Sequence, residues 1–126
     1  MSAAEQVVLF QVGARLFAAR AAGVARIGRA DRRAAGWVAE SALGRPLAPA
    51  RGLYCAGEDG TLGVDRVLGL RAVEAADLRP LPPPAGACLG TRAVAGLVLL
   101  DGALTPLVDL PTLIRERRQA AAPDPR

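Results

Sequence analysis

Short apolar runs separated by turn residues constrain the fold of this chain more than any other feature. Asp101-Gly102 separates two apolar runs, residues 94–100 and 103–108, and Glu58-Asp59-Gly60 lies between the runs 53–56 and 62–70. Asp-Gly between such runs is a strong hairpin signal, because both residues accept a positive φ. No run is long enough to cross a bilayer. The pattern predicts a mostly β protein built from short strands.

The two ends of the chain add local signals. Residues 7–12 read as a buried strand, Gly13-Ala14 as a tight turn, and residues 15–19 as the return strand. A single helical turn near Ala21 leads to a further strand over residues 24–28. Asp109 is a candidate N-cap, and the apolar spacing of Leu110, Leu113 and Ile114 predicts a short helix that docks on the sheet. Residues 117–126 are expected to form a flexible tail.

A leucine-proline frame occurs twice in the chain. The first copy consists of Leu43, Leu47, Pro49 and Leu53, and the second of Leu100, Leu104, Pro106 and Leu110. An internal echo of this kind usually marks two copies of one structural unit. The frame therefore predicts an equivalent strand in each of two units, with Leu104 and Leu107 packed inside the second.

Composition points to a small domain with a sizeable core and to a reducing compartment. The 126 residues are 52% hydrophobic, and the two cysteines, Cys55 and Cys88, form no redox or metal motif. Free buried thiols and a cytoplasmic location are the expectation, since the first residues also lack the pattern of a secretory signal. The net charge is +4, and all 16 basic residues are arginine. The arginines are scattered, so no nucleic-acid partner is predicted.

The side chains needed for catalysis are scarce. The chain contains no histidine and no lysine, and only Ser2 and Ser41 could supply a hydroxyl nucleophile of the serine type. Neither serine has a histidine or lysine base to activate it. No enzyme activity, metal site or cofactor is therefore predicted, and function is expected to lie in binding surfaces.

Three segments, in order, resemble the chemotaxis coupling proteins of the CheW-like family. They are VVLFQVGARLFAA followed by GVARI, then LGVDRVLGLRAVEAADLRPLP, and finally AVAGLVLLDGALTPLVDLPTLI. The resemblance covers nearly the whole chain, from about Val7 to Ile114. Its most specific part is the Val-Asp-x-Val strand at Val64 to Val67, followed by Arg79-Pro80.

The resemblance implies two small β-barrel lobes of the SH3/OB-like type around a shared core, with a short C-terminal helix. A single domain would span residues 5–116, with lobe one at about 7–53 and lobe two at about 54–114. Proteins of this family are adaptors without catalytic activity, active in bacterial chemosensory and motility signalling. They couple the cytoplasmic tips of chemoreceptors (methyl-accepting proteins) to the regulatory domain of a histidine kinase, without inserting into the membrane.

The resemblance also implies where the partners bind. Val24 and Ile27 match the receptor-contacting strand of the family, and Val64 and Val67 match the facing strand. Receptor tips would lie between them as a helix in an apolar groove. Each of these four residues is equally typical of an ordinary core. Arg26 belongs to the same receptor groove and stands where the family has a glutamate, a reversal of charge that favours a change of partner.

The first lobe departs from the family pattern. Asn-Leu-Arg-Gly is expected at the kinase contact, and the aligned residues are Ala42, Leu43, Gly44 and Arg45. The arginine is thus absent or displaced by one position, which would turn its side chain to the other face of a strand.

Two functions other than that of a complete adaptor are open. One is a specialised or decoy coupler that binds a single partner. The other, from a different class, is a small barrel that binds single-stranded nucleic acid through Trp37 and Tyr54.

Overall fold

A computed structural model describes residues 5–34, 36–38, 41–81 and 92–121. Its strands and helix, in chain order, are β1 (Glu5–Val12), β2 (Arg15–Arg20), β3 (Val24–Arg29), β4 (Trp37–Val38), β5 (Arg51–Cys55), β6 (Thr61–Val64), β7 (Arg66–Val73), β8 (Leu78–Arg79), β9 (Val94–Leu100), β10 (Ala103–Val108) and α1 (Leu110–Ala121). Single 3-10 turns lie at Ala21–Gly23 and Ala75–Asp77. The prediction of a mostly β protein with one short C-terminal helix is confirmed.

Sheet 1 contains six of these strands, in the order β7-β1-β2-β10-β9-β8. Its neighbours pair antiparallel except β10 and β2, which are parallel. The sheet curls, so that Arg71 of β7 reaches the β9–β10 turn and donates two hydrogen bonds to Asp101, at 2.8 and 2.5 Å. The curled sheet encloses one apolar cluster: Val7, Ala18, Val73, Val98, Leu100 and Leu107.

Sheet 2 contains the remaining four strands, in the order β3-β5-β6-β4. A second and larger cluster, the shared core, is built from sheet 1, sheet 2 and α1; it includes the stacked rings of Phe10 and Phe17, whose centroids lie 5.8 Å apart. The chain changes sheets twice, after β2 and again after β6. The predicted boundary between the two lobes, near residue 53, lies within β5 of sheet 2.

Asp65 occupies the second change of sheet, between β6 and β7. Its carboxylate accepts hydrogen bonds from the backbone N–H groups of Gly13 (2.6 Å), Leu47 (3.1 Å) and Ala48 (2.5 Å). Burial alone would raise the pKa of Asp65, but these three donors outweigh it and hold the pKa below its usual value. The carboxylate thus joins the β1–β2 turn to the loop before β5, which gives the aspartate of the Val-Asp-x-Val motif a structural role. The prediction of one strand over this motif is wrong, because Val64 ends β6 in sheet 2 and Val67 lies in β7 of sheet 1.

Helix α1 begins as its sequence predicts. Asp109 caps it, since its side chain accepts a hydrogen bond from the N–H of Thr112 at 3.2 Å. The apolar face is buried at Leu110, Leu113 and Ile114. The helix extends to residue 121, so residues 117–121 are helical where a tail was expected, and residues 122–126 lie outside the described ranges. No helix within the described ranges has the length and apolar character needed to cross a membrane.

The Glu58-Asp59-Gly60 turn, which connects β5 and β6 of sheet 2, contacts the second half of α1. Glu58 lies 3.2 Å from Arg115 and 3.3 Å from Arg118, measured between the charged atoms, and Arg118 also donates to the carbonyl oxygen of Asp59 at 2.6 Å. The pairs are partly exposed, so each contributes little by itself. Gly60 packs so closely against Ile114 that a side chain at this position would collide with it. The Glu58-Asp59-Gly60 turn is therefore shaped to the helix.

The two copies of the leucine-proline frame are alike in the burial of their first and last leucines, but they differ in secondary structure. Leu43 and Leu53 are buried, as are their counterparts Leu100 and Leu110. The first copy runs through irregular chain into β5, whereas the second runs through β10 into α1. The prediction of an equivalent strand in each unit is therefore wrong.

The predicted packing of Leu104 is also wrong, while that of Leu107 is confirmed. Leu107 is 2% exposed and Leu104 is 58% exposed. Side chains alternate along β10, and Thr105 and Leu107 take the inward positions. Leu104 consequently points outward.

Alanine substitutions in β10 test this alternation. We expect Leu107→Ala to lower the free energy of unfolding by about 2–5 kcal/mol, because it leaves a cavity in the cluster inside sheet 1. Leu104→Ala should change it by about 0.5 kcal/mol or less, as exposed substitutions do. Urea denaturation of both variants measures the difference. Equal losses would contradict the outward position of Leu104.

Candidate partner-binding site

Val24 and Ile27 point to the same face of sheet 2, although they stand three residues apart. In a regular strand, residues at that spacing point to opposite faces. A bulge in β3 changes this: Val24 pairs with Cys55, Arg26 with Tyr54, and Ile27 with Leu53. Cys55 and Leu53 face the shared core, so Val24 and Ile27 lie on that face as well. The bulge is what brings these two predicted residues together.

A second bulge does the same in β7. Phe10 of β1 pairs with Val67, and Val8 pairs with Leu70, so Val67 and Leu70 share the face turned to the shared core. Gly69 sits within this bulge at φ 126°, a conformation that favours glycine. Sequence reasoning predicted Val67 and missed Leu70. A glycine inside a strand pattern signals a bulge, so Gly69 was the signal that could have found it.

Val24, Ile27, Val67 and Leu70 share two properties: each lies on the core-facing side of its sheet, and each keeps some exposed surface. We call these four residues together the apolar rim. Strands β3 and β7 each lie at the end of their sheet, so among the strands that the structure describes each has one edge without a partner. Val24 and Val67 are half-buried against the shared core. Ile27 is 41% exposed and Leu70 is 62% exposed. The rim therefore combines a packed base with exposed apolar side chains on the edge strands of both sheets.

Val64 was also predicted to line the receptor groove, but it does not belong to the apolar rim. It has no exposed surface and belongs to the shared core together with its strand neighbour Leu62. Its side chain cannot contact a partner while the core is intact. Of the two readings left open by the sequence, the structure places Val64 in the interior.

Arg26 lies on the opposite face of sheet 2. It pairs with Tyr54 across the strands, and its guanidinium carbon stands 3.6 Å from the centroid of the tyrosine ring. Trp37 packs on the same outer face, over the bare backbone of Gly63; a Cβ there would lie 2.6 Å from the indole ring. Arg26 is therefore separated from the apolar rim, and the Tyr54 ring already carries a stacked partner on one side.

The predicted kinase-contact residues divide in the same way. Ser41 and Gly44 exchange backbone hydrogen bonds in a tight turn, at 3.2 and 3.0 Å. This turn buries Leu43 in the shared core at 6% exposure, while Gly44 and Arg45 are exposed. Leu43 therefore acts as a core residue, and Gly44 and Arg45 are accessible to a partner.

Cys55 is a free thiol buried in the shared core, and burial raises its pKa. Such a thiol is poorly reactive, because the thiolate is the nucleophile. Cys88 lies outside the described residues. Within those residues, His, Cys, Asp and Glu side chains nowhere gather in groups of three or more that could hold a metal ion.

Comparison with known proteins identifies the fold. The chain matches no protein-family model and no curated protein sequence. Among solved structures, it is similar to the scaffolding protein TtCheW from Thermoanaerobacter tengcongensis, with a TM-score of 0.61 and 14% sequence identity. The similarity covers 84% of this chain and 89% of that one. With its two sheets, shared core and C-terminal helix, the chain has a CheW-like fold.

Proposed function

We propose that this protein is a non-enzymatic adaptor of a chemosensory pathway, and that it binds a helix of a chemoreceptor cytoplasmic tip along the apolar rim. The observation that carries this proposal is the exposure of Ile27 and Leu70 on edge strands of the two different sheets. Apolar side chains exposed above a packed base are typical of surfaces that receive the apolar face of an amphipathic helix. The CheW-like fold supports the same class of partner.

The backbone of the two edge strands favours a helix over an added strand. Both strands have a bulge, and bulges distort the row of N–H and C=O groups that a new strand would need. The bulges also present apolar residues three positions apart on one face. Side chains at positions i and i+3 or i+4 of a helix can supply a matching apolar stripe.

A second partner, the regulatory domain of a histidine kinase, is proposed to contact Gly44 and Arg45. Both residues are exposed in the turn after Ser41. Arg45 stands one position after the place where the family has its arginine, so its contact with the kinase would differ from the family pattern. A coupler that binds only one partner remains the alternative at this surface.

The proposal of a nucleic-acid-binding barrel has less support. Binding of single strands relies on exposed aromatic faces on which bases stack. Here Arg26 covers one face of Tyr54, and Trp37 lies against Gly63.

Glutamate substitutions on the apolar rim test the receptor proposal. We expect Ile27→Glu and Leu70→Glu each to weaken binding of a purified receptor-tip helical hairpin by about 30-fold or more, the effect of losing an interface anchor worth about 2 kcal/mol. Both residues are exposed, so the melting temperature should stay close to that of the wild type. Isothermal titration calorimetry and thermal denaturation give the two measurements.

Leu104→Glu is the matched control. Leu104 is an exposed leucine in a strand of sheet 1 and lies outside the rim. It should leave binding unchanged. Equal binding by the control and both rim variants would contradict the proposed site.

A further inference from the structure

The positive charge of the chain is concentrated in one region. Residues 24–55, which run from β3 through β5, contain six arginines and two acidic residues, a net charge of +4. The rest of the chain contains ten basic and ten acidic residues, so its net charge is zero. The overall charge of +4 thus resides in the segment that supplies β3, β4 and β5 of sheet 2.

Two of these arginines face each other. Arg29 of β3 and Arg51 of β5 are directly opposite across the strands, and both are exposed. Neither side chain has a hydrogen bond or an ion pair within the described parts of the chain. Like charges in directly opposite positions are destabilising. No acidic side chain in the described structure pairs with either arginine, so both exposed guanidinium groups are available to the carboxylates of a partner.

The arginine pair continues the apolar rim. Ile27 pairs with Leu53, Gly28 with Gly52, and Arg29 with Arg51, so the arginines lie two residues beyond Ile27 on the same face of the sheet. Two strand residues span about 7 Å. The surface is thus apolar at Ile27 and carries two positive charges about 7 Å away. A partner helix would complement it with an apolar stripe followed by acidic side chains.

We propose that Arg29 and Arg51 together select a partner helix that carries acidic side chains directly beyond its apolar stripe. This inference rests on the proposed function and adds the charge of the partner to it. A helix aligned with β3 rises 1.5 Å per residue, so the acidic side chains would stand about four or five residues beyond the anchor that contacts Ile27. Arginine suits this role because its planar guanidinium can bind a carboxylate through two hydrogen bonds.

The arrangement of charge favours an acidic helix over a nucleic acid or a second copy of the chain. Arg26, Trp37 and Tyr54 lie on the outer face of sheet 2, whereas Arg29 and Arg51 lie on the opposite face. Bases stacked on the aromatic rings would therefore keep their phosphates away from the arginine pair. Two copies joined at this pair would bring four positive charges together.

Paired substitutions in the full-length chain test the inference. Arg29→Gln combined with Arg51→Gln should weaken binding of an acidic receptor-tip hairpin by about 10- to 100-fold and reduce its dependence on salt. Arg32→Gln combined with Arg33→Gln removes the same charge from the exposed loop after β3 and should weaken binding less than about threefold. Removing the like-charge pair should leave the free energy of unfolding unchanged or raised, which separates this effect from a loss of fold.

The hairpin itself supplies the complementary test. In a second hairpin, the acidic residues in the two turns beyond the apolar stripe are replaced by glutamine. The wild type should bind this hairpin as weakly as the Arg29/Arg51 double variant does, and the double variant should not distinguish the two hairpins.

Three outcomes would overturn the inference. If the double variant binds like the Arg32/Arg33 control while Ile27→Glu still weakens binding by about 30-fold or more, the rim is the site and the arginine pair has no part in it. If the wild type binds no receptor hairpin, the proposed function fails and the inference with it. If a fluorescent oligothymidylate binds in a manner that depends on Arg29 and Arg51, the pair belongs to a nucleic-acid site.

Discussion

Val64→Asp should abolish the cooperative unfolding transition of the protein. Val64 is fully buried in the shared core, in β6 beside the buried Leu62. An aspartate there would place an unpaired carboxylate in an apolar interior, at a cost of several kcal/mol. Small domains are stable by only about 5–15 kcal/mol, so a loss of this size together with the lost packing approaches the whole stability. Thermal denaturation followed by circular dichroism measures it.

Leu68→Asp is the matched control for this prediction. Leu68 is 46% exposed on β7, four residues after Val64, and an aspartate there remains hydrated. The control should unfold cooperatively near the wild-type temperature. A cooperative transition of Val64→Asp at the same temperature would contradict the core position of Val64 and return it to the list of surface residues.

Asp65→Ala should lower the free energy of unfolding by roughly 2–4 kcal/mol. The substitution leaves the N–H groups of Gly13, Leu47 and Ala48 without their acceptor. Hydrogen bonds to a charged group contribute about 1.5–3 kcal/mol each, and the partial exposure of the carboxylate reduces their sum. Urea denaturation at neutral pH measures the loss. A loss below about 0.5 kcal/mol would show that solvent satisfies these donors equally well.

The same carboxylate predicts how stability depends on pH. Its pKa in the folded state is below the ordinary value, near 3.9 for an unfolded chain, because the three N–H donors favour the charged form. Its contribution is therefore present well above pH 3.9 and is lost as the pH falls through the folded-state pKa. The difference in stability between the wild type and Asp65→Ala should shrink over that range. A difference independent of pH would contradict the charged role of Asp65.

Local signals in the sequence predicted the elements that local interactions form. The turn residues Gly13 and Asp101-Gly102 connect the hairpins that were expected, and Asp109 caps the expected helix. The 3-10 turn near Ala21 was predicted, whereas the one at Ala75–Asp77 was not. The ordered resemblance to the CheW-like proteins predicted the fold at an identity of 14% with a solved structure. Turns and helix caps are formed by residues close together in the chain, so they can be predicted from the sequence directly.

The candidate site depended on interactions that the sequence does not state. Val24 and Ile27, three residues apart, share a face only because β3 has a bulge, and Leu70 joins Val67 for the same reason. Val64 and Val67 belong to the same short motif, yet one is fully buried and the other reaches the rim. The leucine-proline frame repeats in the sequence but not in secondary structure. For the residues in strands, the pairing partner in another strand decides which way a side chain points.

The sequence by itself determined the class of fold, the hairpin turns, the start of α1 and the net charge of +4. These follow from residue types and from contacts between near neighbours in the chain. The tertiary structure alone decided that the chain changes sheets twice, that Asp65 joins three segments at the second change, and that Arg29 and Arg51 stand opposite each other beside Ile27. These depend on strand register, which is set by the packing of the whole shared core rather than by any one segment.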